Sequence, residues 1–154
     1  MPASPQIEER LTTLAQSVTV GLAYFEGPGG QSTARIGRWS PREVLCHLLW
    51  WHQVTVEGLE SVAAGGAPYR IYASVDEMNA RAVARLAGRS MEQLADMTRQ
   101  WQERLLTAAR AVADPNTAIM ILSDGNGRSL QQRLDNIILE WNTHVKEWQA
   151  FSAA

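Results

Sequence analysis

The segment "SPREVLCHLLWWHQVTVEGLESVA", residues 40–63, is the part of the sequence that best predicts the fold. Ser40 is a favourable N-cap, Pro41 suits the first helical position, and Glu43 can accept from the Ser40 amide to complete a capping box. The apolar stripe of this segment is formed by Val44, Leu48, Trp51, Thr55 and Val62. Two glycines follow at positions 65 and 66 and end the pattern. Residues 40–63 therefore predict a long amphipathic helix with one buried face.

Apolar residues recur at helical spacing in three further regions. The first runs from about Pro5 to Glu26, and the third from residue 75 to about Ala113, as two pieces or one kinked helix, because Gly88 interrupts it and "SMEQ" (90–93) is a second capping-box signal. The last opens at Ser129, with Gln132 at the reciprocal position, and continues to about Phe151. Within residues 114–128, "AIMIL" is either a short extended piece or a helical turn. Four long helices without a partner sheet predict an all-α four-helix bundle, with residues 1–154 as a single domain.

Composition excludes several classes of protein. Fourteen basic and sixteen acidic residues give a net charge of −2, and no basic run is typical of nucleic-acid or anionic-membrane binding. The single cysteine, Cys46, cannot form an internal disulfide, which fits a reducing cytoplasm. The N-terminus lacks the features of a signal peptide, and no apolar run approaches the roughly 18 residues of a membrane span. We expect a cytoplasmic protein that binds neither nucleic acid nor membrane.

The candidate functional residues are few, because the chain has three histidines, His47, His52 and His144. Glu140 and His144 lie one helical turn apart, near the apolar stripe of the last helix, and His47 lies near the stripe of the second helix. A buried ionised carboxylate costs several kcal/mol unless it is paired, and a divalent metal would supply the compensating charge. Imidazole and carboxylate suit Zn²⁺, Ni²⁺ or Fe²⁺, and three protein ligands leave open coordination positions. The alternative is a hydrogen-bonded core histidine beside a solvated Glu-x-x-x-His pair.

Three other polar residues allow two interpretations each, and Cys46 allows one. Asp76 and Asn79 can hydrogen-bond a ligand, or serve as a cap and a surface residue. We interpret Arg133 as a surface arginine, with pairing to an anionic substrate as the alternative. Cys46 lies nearly opposite the apolar stripe of its helix, and we interpret it as an inert buried thiol. The tryptophans at 50, 51, 101, 141 and 148 are explained by packing.

Two segments carry a resemblance to a known family. "GRWSPREVLCHLLWWH" (37–52) resembles the W-S-x-x-E-V-x-x-H-L signature of the DinB/YfiT-like metalloenzyme superfamily, and residues 75–94 are similar to its third helical region. The resemblance implies an up-down-down-up four-helix bundle that holds a divalent metal, Zn or Ni and also Fe, on His47, Glu140 and His144. Where the superfamily most often has His-x-x-x-His, this chain has Glu140-x-x-x-His144. That set is similar to the His, Glu, His ligands of mycothiol-dependent maleylpyruvate isomerase, which has a further C-terminal domain, so the maleylpyruvate activity itself is not implied.

The resemblance also implies a function. We expect a metal-dependent enzyme, a thiol-dependent S-transferase or isomerase that acts on a small electrophilic molecule with a low-molecular-weight thiol such as mycothiol or bacillithiol. The alternatives are a metal-dependent hydrolase at the same site and a non-catalytic bundle that binds or sequesters a ligand. Dimers are common in the superfamily, so a homodimer is expected.

Overall fold

The structure, a computed structural model, describes residues 3–153, with only the backbone for Gln31, Ser152 and Ala153. The ends of the expected domain, Met1, Pro2 and Ala154, lie outside the described residues, and the single-domain assignment stays a prediction. The helices are α1 (Pro5–Glu26), α2 (Pro41–Ala63), α3 (Val75–Arg85), α4 (Met91–Arg110) and α5 (Leu130–Ala153). A short 3₁₀ helix (Pro28–Gln31) follows α1. None of the described helices combines the length and apolar character that a membrane span needs.

Capping boxes fix the starts of three helices, as the sequence predicts. The Ser40 hydroxyl accepts from the Glu43 amide at 3.3 Å, and the Glu43 carboxylate accepts from the Ser40 amide at 3.2 Å. The same reciprocal pair forms between Ser90 and Gln93 at the start of α4, and between Ser129 and Gln132 at the start of α5. The third helical region is two separate helices, because Gly88 adopts φ +86° between them.

The four long helices pack in the cyclic order α1–α4–α2–α5, with the most extensive contacts between α2 and α4 and between α1 and α5. α1 and α2 touch each other little, although they are consecutive long helices. Buried apolar side chains from all four form the main core. The mostly helical fold is therefore confirmed, with a fifth, shorter helix, α3, that packs against α2.

A small sheet lies at one end of α2, and the expectation that no sheet is present was wrong. Strand β1 (Tyr69–Arg70) pairs with strand β2 (Ala118–Ile121) in a parallel arrangement. Strand β2 also pairs with strand β3 (Gly127–Ser129), in an antiparallel arrangement. A Cβ at Gly58 of α2 would lie 2.2 Å from the Ile119 carbonyl oxygen, so β2 packs directly on the helix backbone. The extended alternative for "AIMIL" is the correct one. The sheet ties the segments after α2 and before α5 together.

A buried histidine links α2 to α5 inside the main core. His52 is fully buried, and its Nε2 accepts a hydrogen bond from the Trp141 indole N–H at 2.8 Å. Its Nδ1 has no hydrogen-bond partner among the described residues. Burial lowers the pKa of His52 to about 3, and the positive charge of Arg133 acts in the same direction. His52 is therefore a neutral core residue and lies apart from the other two histidines.

This burial predicts a stability loss in mild acid. The unfolded chain takes up a proton at His52 near its ordinary pKa of 6.5, whereas the folded chain does so only near pH 3. Stability is then lost as the pH falls through this window, by about 1.4 kcal/mol per pH unit. In urea unfolding of metal-free protein, wild type should lose roughly 2–3 kcal/mol more than His52→Gln between pH 6.5 and 4.5. Glutamine keeps an acceptor for Trp141 but does not titrate, so parallel pH profiles would contradict the prediction.

Candidate metal centre

Three side chains predicted from the sequence meet at one point between α2 and α5. His47 extends from α2, and Glu140 and His144 extend from α5. The Glu140 Oε2 atom lies 3.2 Å from His47 Nε2 and 3.2 Å from His144 Nε2. One ligand atom from each residue lies within 4.8 Å of the other two. The structure thus brings all three candidate ligands together, and their side chains are 11%, 37% and 21% exposed, in the order His47, Glu140, His144.

The second nitrogen of His47 is held by buried neighbours. Its Nδ1 lies 2.6 Å from the Asn79 Oδ1 atom, and the Trp51 indole nitrogen lies 3.0 Å from that Nδ1 and 3.2 Å from the Asn79 oxygen. Because an indole nitrogen only donates, the amide atom that faces it is an acceptor. The 2.6 Å contact between His47 Nδ1 and Asn79 Oδ1 needs a hydrogen that the oxygen cannot supply, so the His47 proton lies on Nδ1 and Asn79 Oδ1 accepts from both Trp51 and His47. The Nε2 lone pair of His47 is left facing Glu140.

That tautomer makes the short distance to Glu140 informative. An unprotonated Nε2 and a carboxylate oxygen 3.2 Å apart both present lone pairs, and they repel unless a positive species lies between them. The hydrogen bond from His144, with a further contribution from the neighbouring His47, holds the pKa of Glu140 well below its usual range, so the carboxylate is ionised at neutral pH. Two imidazole nitrogens and one carboxylate oxygen are a ligand set that divalent transition metals accept. The residues present therefore fit a divalent metal.

The three residues line a cavity of about 720 Å³. Its wall combines apolar and polar side chains from α2, α3, α5 and the sheet. The other lining residues are Trp39, Val44, Trp51, Val75, Asn79, Leu122, Arg128, Gln132, Arg133 and Asn136. Such a volume is typical of a small-molecule site.

Two of the alternatives for polar residues are settled by burial. Asn79 is 9% exposed and lines the cavity, so its interpretation as a surface residue was wrong. Asp76 is exposed and pairs with Arg38 at 3.4 Å, while Ser74 is the N-cap of α3. Asp76 therefore has no place in the cavity wall, and Asn79 does.

Arg133 also differs from its interpretation as a surface arginine. Its side chain is 4% exposed and forms part of the cavity wall. The sequence places Arg133 on the same side of its helix as Glu140, but sequence reasoning missed Asn136, which joins Arg133, Glu140 and His144 in one polar stripe at spacings of three, four and four residues. All four residues of this stripe line the cavity.

Cys46 is fully buried, as predicted. Burial raises the pKa of its thiol to about 11, so it carries no thiolate at neutral pH. It does not line the cavity.

Comparison with known proteins identifies a family. The sequence model of the DinB superfamily matches residues 6–150, which is nearly the whole chain. Neither the curated proteins nor the solved structures contain a significant match.

Proposed function

The chain belongs to the DinB superfamily, and from that premise we propose that it is a divalent-metal-dependent enzyme whose metal is held by His47, Glu140 and His144. The observation that carries the proposal is the convergence of these three ligand atoms within 4.8 Å in the wall of a cavity. We include in the proposal the up-down-down-up order of the four long helices that is usual in this superfamily. Zn²⁺, Ni²⁺ and Fe²⁺ all suit two imidazoles and one carboxylate.

The residues around the site prepare it for that role. Asn79 keeps the His47 proton on Nδ1, so that Nε2 is free to bind, and Trp51 holds the Asn79 amide in place. Glu140 supplies the one negative charge of the ligand set. When bound, a divalent metal in this setting supplies positive charge that lowers the pKa of a thiol or a water beside it. The open side of the three ligands faces the cavity, where a small molecule has room to bind.

We propose a low-molecular-weight thiol as the co-substrate, mycothiol or bacillithiol by family resemblance. The protein's own thiol, Cys46, is buried and has a pKa of about 11, so the reacting sulfur comes from another molecule. In a transferase reaction its sulfur forms a bond to an electrophilic carbon, the bond to the leaving group breaks, and the thiol proton leaves with that group. In an isomerase reaction the thiol adds to a double bond, the resulting single bond rotates, and elimination returns the thiol.

Thiol dependence tests this proposal. Metal-loaded protein is assayed with chlorodinitrobenzene as electrophile, in the presence of mycothiol, bacillithiol or no thiol. We expect product above the uncatalysed rate only with a thiol, loss of that product in Glu140→Gln, and full retention in Cys46→Ala. Turnover of ester substrates without any thiol would instead identify a hydrolase. Metal binding without turnover in either assay would favour a binding or sequestering protein.

Removal of the Asn79 amide should weaken metal binding without removing a ligand. Loss of a group that orients a metal-binding histidine typically lowers metal affinity about 10- to 100-fold. We expect Asn79→Ala to do so in competition titrations of Zn²⁺ against a chromophoric chelator, and Asn79→Asp to keep most of the affinity because it retains the acceptor. Asp76→Ala, an exposed change on the same helix, is the control. Equal affinities for Asn79→Ala and wild type would contradict the role of Asn79.

We also propose that the protein acts on small molecules in a reducing cytoplasm, as a homodimer, without nucleic-acid or membrane partners. Its net charge of −2 supports the absence of nucleic-acid and membrane partners, and its single cysteine supports a reducing cytoplasm.

For the dimer, the support is the family resemblance together with an apolar groove between α1 and α4 that includes Leu11, Val20 and Leu106, with Val20 57% exposed. Sedimentation analysis at several concentrations measures the mass directly, and a monomer throughout would overturn the dimer.

A further inference from the structure

Arg133 carries a buried positive charge that lacks an acidic partner. Its guanidinium donates to Asn136 Oδ1 at 3.0 Å and to Thr55 Oγ1 at 3.4 Å, both neutral oxygens. Its Nε has no hydrogen-bond partner, and no carboxylate among the described residues forms an ion pair with it. A buried charge that is neither paired nor fully hydrogen-bonded is costly, so a fold retains one only where something offsets the cost.

The arginine stays charged in this position. Burial lowers the pKa of Arg133 to about 10, which leaves the guanidinium protonated at neutral pH. The Trp51 ring lies under it, with the guanidinium carbon 4.8 Å from the ring centroid. Trp51 also donates to Asn79, which in turn holds His47. One tryptophan thus positions both the arginine and the histidine of the proposed metal site.

The charges around the cavity favour an anion. Arg133 and Arg128 both line it, and Glu140 is the one carboxylate in the described lining. Beside the effect of burial, Glu140 raises the pKa of Arg133 and Arg128 lowers it, so Arg133 lies in the field of one carboxylate and of one further guanidinium. With a divalent ion on the three ligands, two arginines and the ion face a single carboxylate, which leaves three positive charges in excess.

The spacing along α5 sets the size of the anion. Arg133 and Glu140 are seven residues apart, so their Cα atoms are separated by roughly 10 Å along the helix axis. A small molecule whose acidic end lies on the guanidinium can therefore place an atom several bonds away beside the three metal ligands. Trp39, Val44 and Leu122 offer apolar walls to the part between.

We propose that the cavity binds a small organic carboxylate, with its carboxylate on the buried guanidinium of Arg133 and its reactive carbon beside His47, Glu140 and His144. This inference rests on the proposed function and names the class of its electrophilic substrate. An arginine fork pairs with a carboxylate through two parallel hydrogen bonds, and the Arg133 guanidinium, which lines the cavity, has only two neutral oxygens as partners. A single buried guanidinium matches a single negative charge. Arg128, which is half-buried, adds attraction for an incoming anion.

Calorimetric binding of cinnamate and of cinnamamide, which has nearly the same shape without the charge, tests the proposal. We expect wild type to bind cinnamate at least about tenfold more tightly than the amide, because hydrogen bonds to a charged group are the stronger kind. Arg133→Met should remove this preference, and Arg133→Lys should keep part of it, since lysine has the charge but not the fork. Arg104→Met, which changes an arginine outside the cavity, should bind as wild type does.

The titrations are carried out on metal-free and on Zn²⁺-loaded protein, and the Zn²⁺ content of every variant is measured. An Arg133-dependent preference for cinnamate in the metal-free protein supports the anion site even where metal loading or thiol turnover fails, so the two proposals are separable. Thermal unfolding of Arg133→Met and Arg133→Lys confirms that both fold. Equal binding of acid and amide to wild type, a preference that survives in folded Arg133→Met, or tighter binding of inorganic phosphate than of cinnamate would each overturn the proposal.

Discussion

Replacement of Glu140 by glutamine is expected to lower the metal affinity of the protein by more than about a hundredfold. Substitution of groups that only orient a ligand costs 10- to 100-fold, and this change removes a ligand charge itself. His47 and His144 would remain as two neutral imidazoles, whose donor set no longer offsets the charge of a divalent ion. In elemental analysis after dialysis, the Zn²⁺ content should fall from about one ion per chain in wild type to nearly none in the variant. Thiol-dependent turnover should fall with it.

The same helix offers a matched control. Glu147 is exposed on α5, seven residues after Glu140, so Glu147→Gln makes the identical chemical change outside the cavity. It should leave the Zn²⁺ content unchanged, as should His52→Gln, which alters a core histidine. His144→Ala should lose the metal as Glu140→Gln does. Stoichiometric Zn²⁺ in folded Glu140→Gln would show that the carboxylate is not a ligand and would remove the basis of the proposed metal centre.

The features that could be predicted from the sequence are local ones. A capping box involves residues three positions apart, so the starts of α2, α4 and α5 follow directly from Ser40, Ser90 and Ser129. Glu140 and His144 lie one turn apart, and their convergence likewise follows from helix geometry. The sequence predicts His47 as the third ligand because it lies near the buried face of α2, which is expected to meet the buried face of α5. The resemblance to a family gives the same residue.

The features that were missed depend on distant parts of the chain. β2 has four residues and β1 has two, too few for a periodic signal, and β2 packs on α2 at Gly58, where a side chain would not fit. Arginine is mostly exposed in proteins, so the sequence alone favours a surface position for Arg133. Its burial depends on Thr55 and Trp51, which α2 contributes from about eighty positions earlier in the chain.

Helix α5 contributes to both the proposed metal site and the core through two adjacent stripes of side chains. The helix presents an apolar stripe to the bundle and, beside it, the polar stripe of Arg133, Asn136, Glu140 and His144 to the cavity. Trp141 follows Glu140 directly, at about 100° around the helix, so the residue that anchors α5 in the core also fixes the orientation of the carboxylate. Core packing and ligand geometry are therefore coupled at this turn.

Trp141→Ala is accordingly expected to be the most destabilising of the tryptophan substitutions, by roughly 3–5 kcal/mol in the free energy of unfolding. The side chain is fully buried and meets Phe25 edge to face, with ring centroids 6.2 Å apart. The backbone of α1 approaches it so closely that a Cβ at Gly21 would lie 2.5 Å from its Cε3 atom. The variant also leaves His52 Nε2 without its donor. Urea unfolding of metal-free protein measures the loss, which should be far smaller for Trp101→Ala because Trp101 is only partly buried.

Two phenylalanine variants separate the hydrogen bond of Trp141 from its packing. Trp141 and Trp148 are both fully buried on α5, but only Trp141 donates its indole N–H, to His52; the Trp148 nitrogen has no partner in the described part of the chain. Trp141→Phe should therefore cost roughly 1–3 kcal/mol more than Trp148→Phe, because it leaves a buried acceptor unpaired, whereas Trp148→Phe removes a donor that was already unsatisfied. Equal losses would mean that the bond between Trp141 and His52 adds nothing to stability. In that case the Nε2 atom of the neutral, buried His52 would need a hydrogen-bond donor other than Trp141.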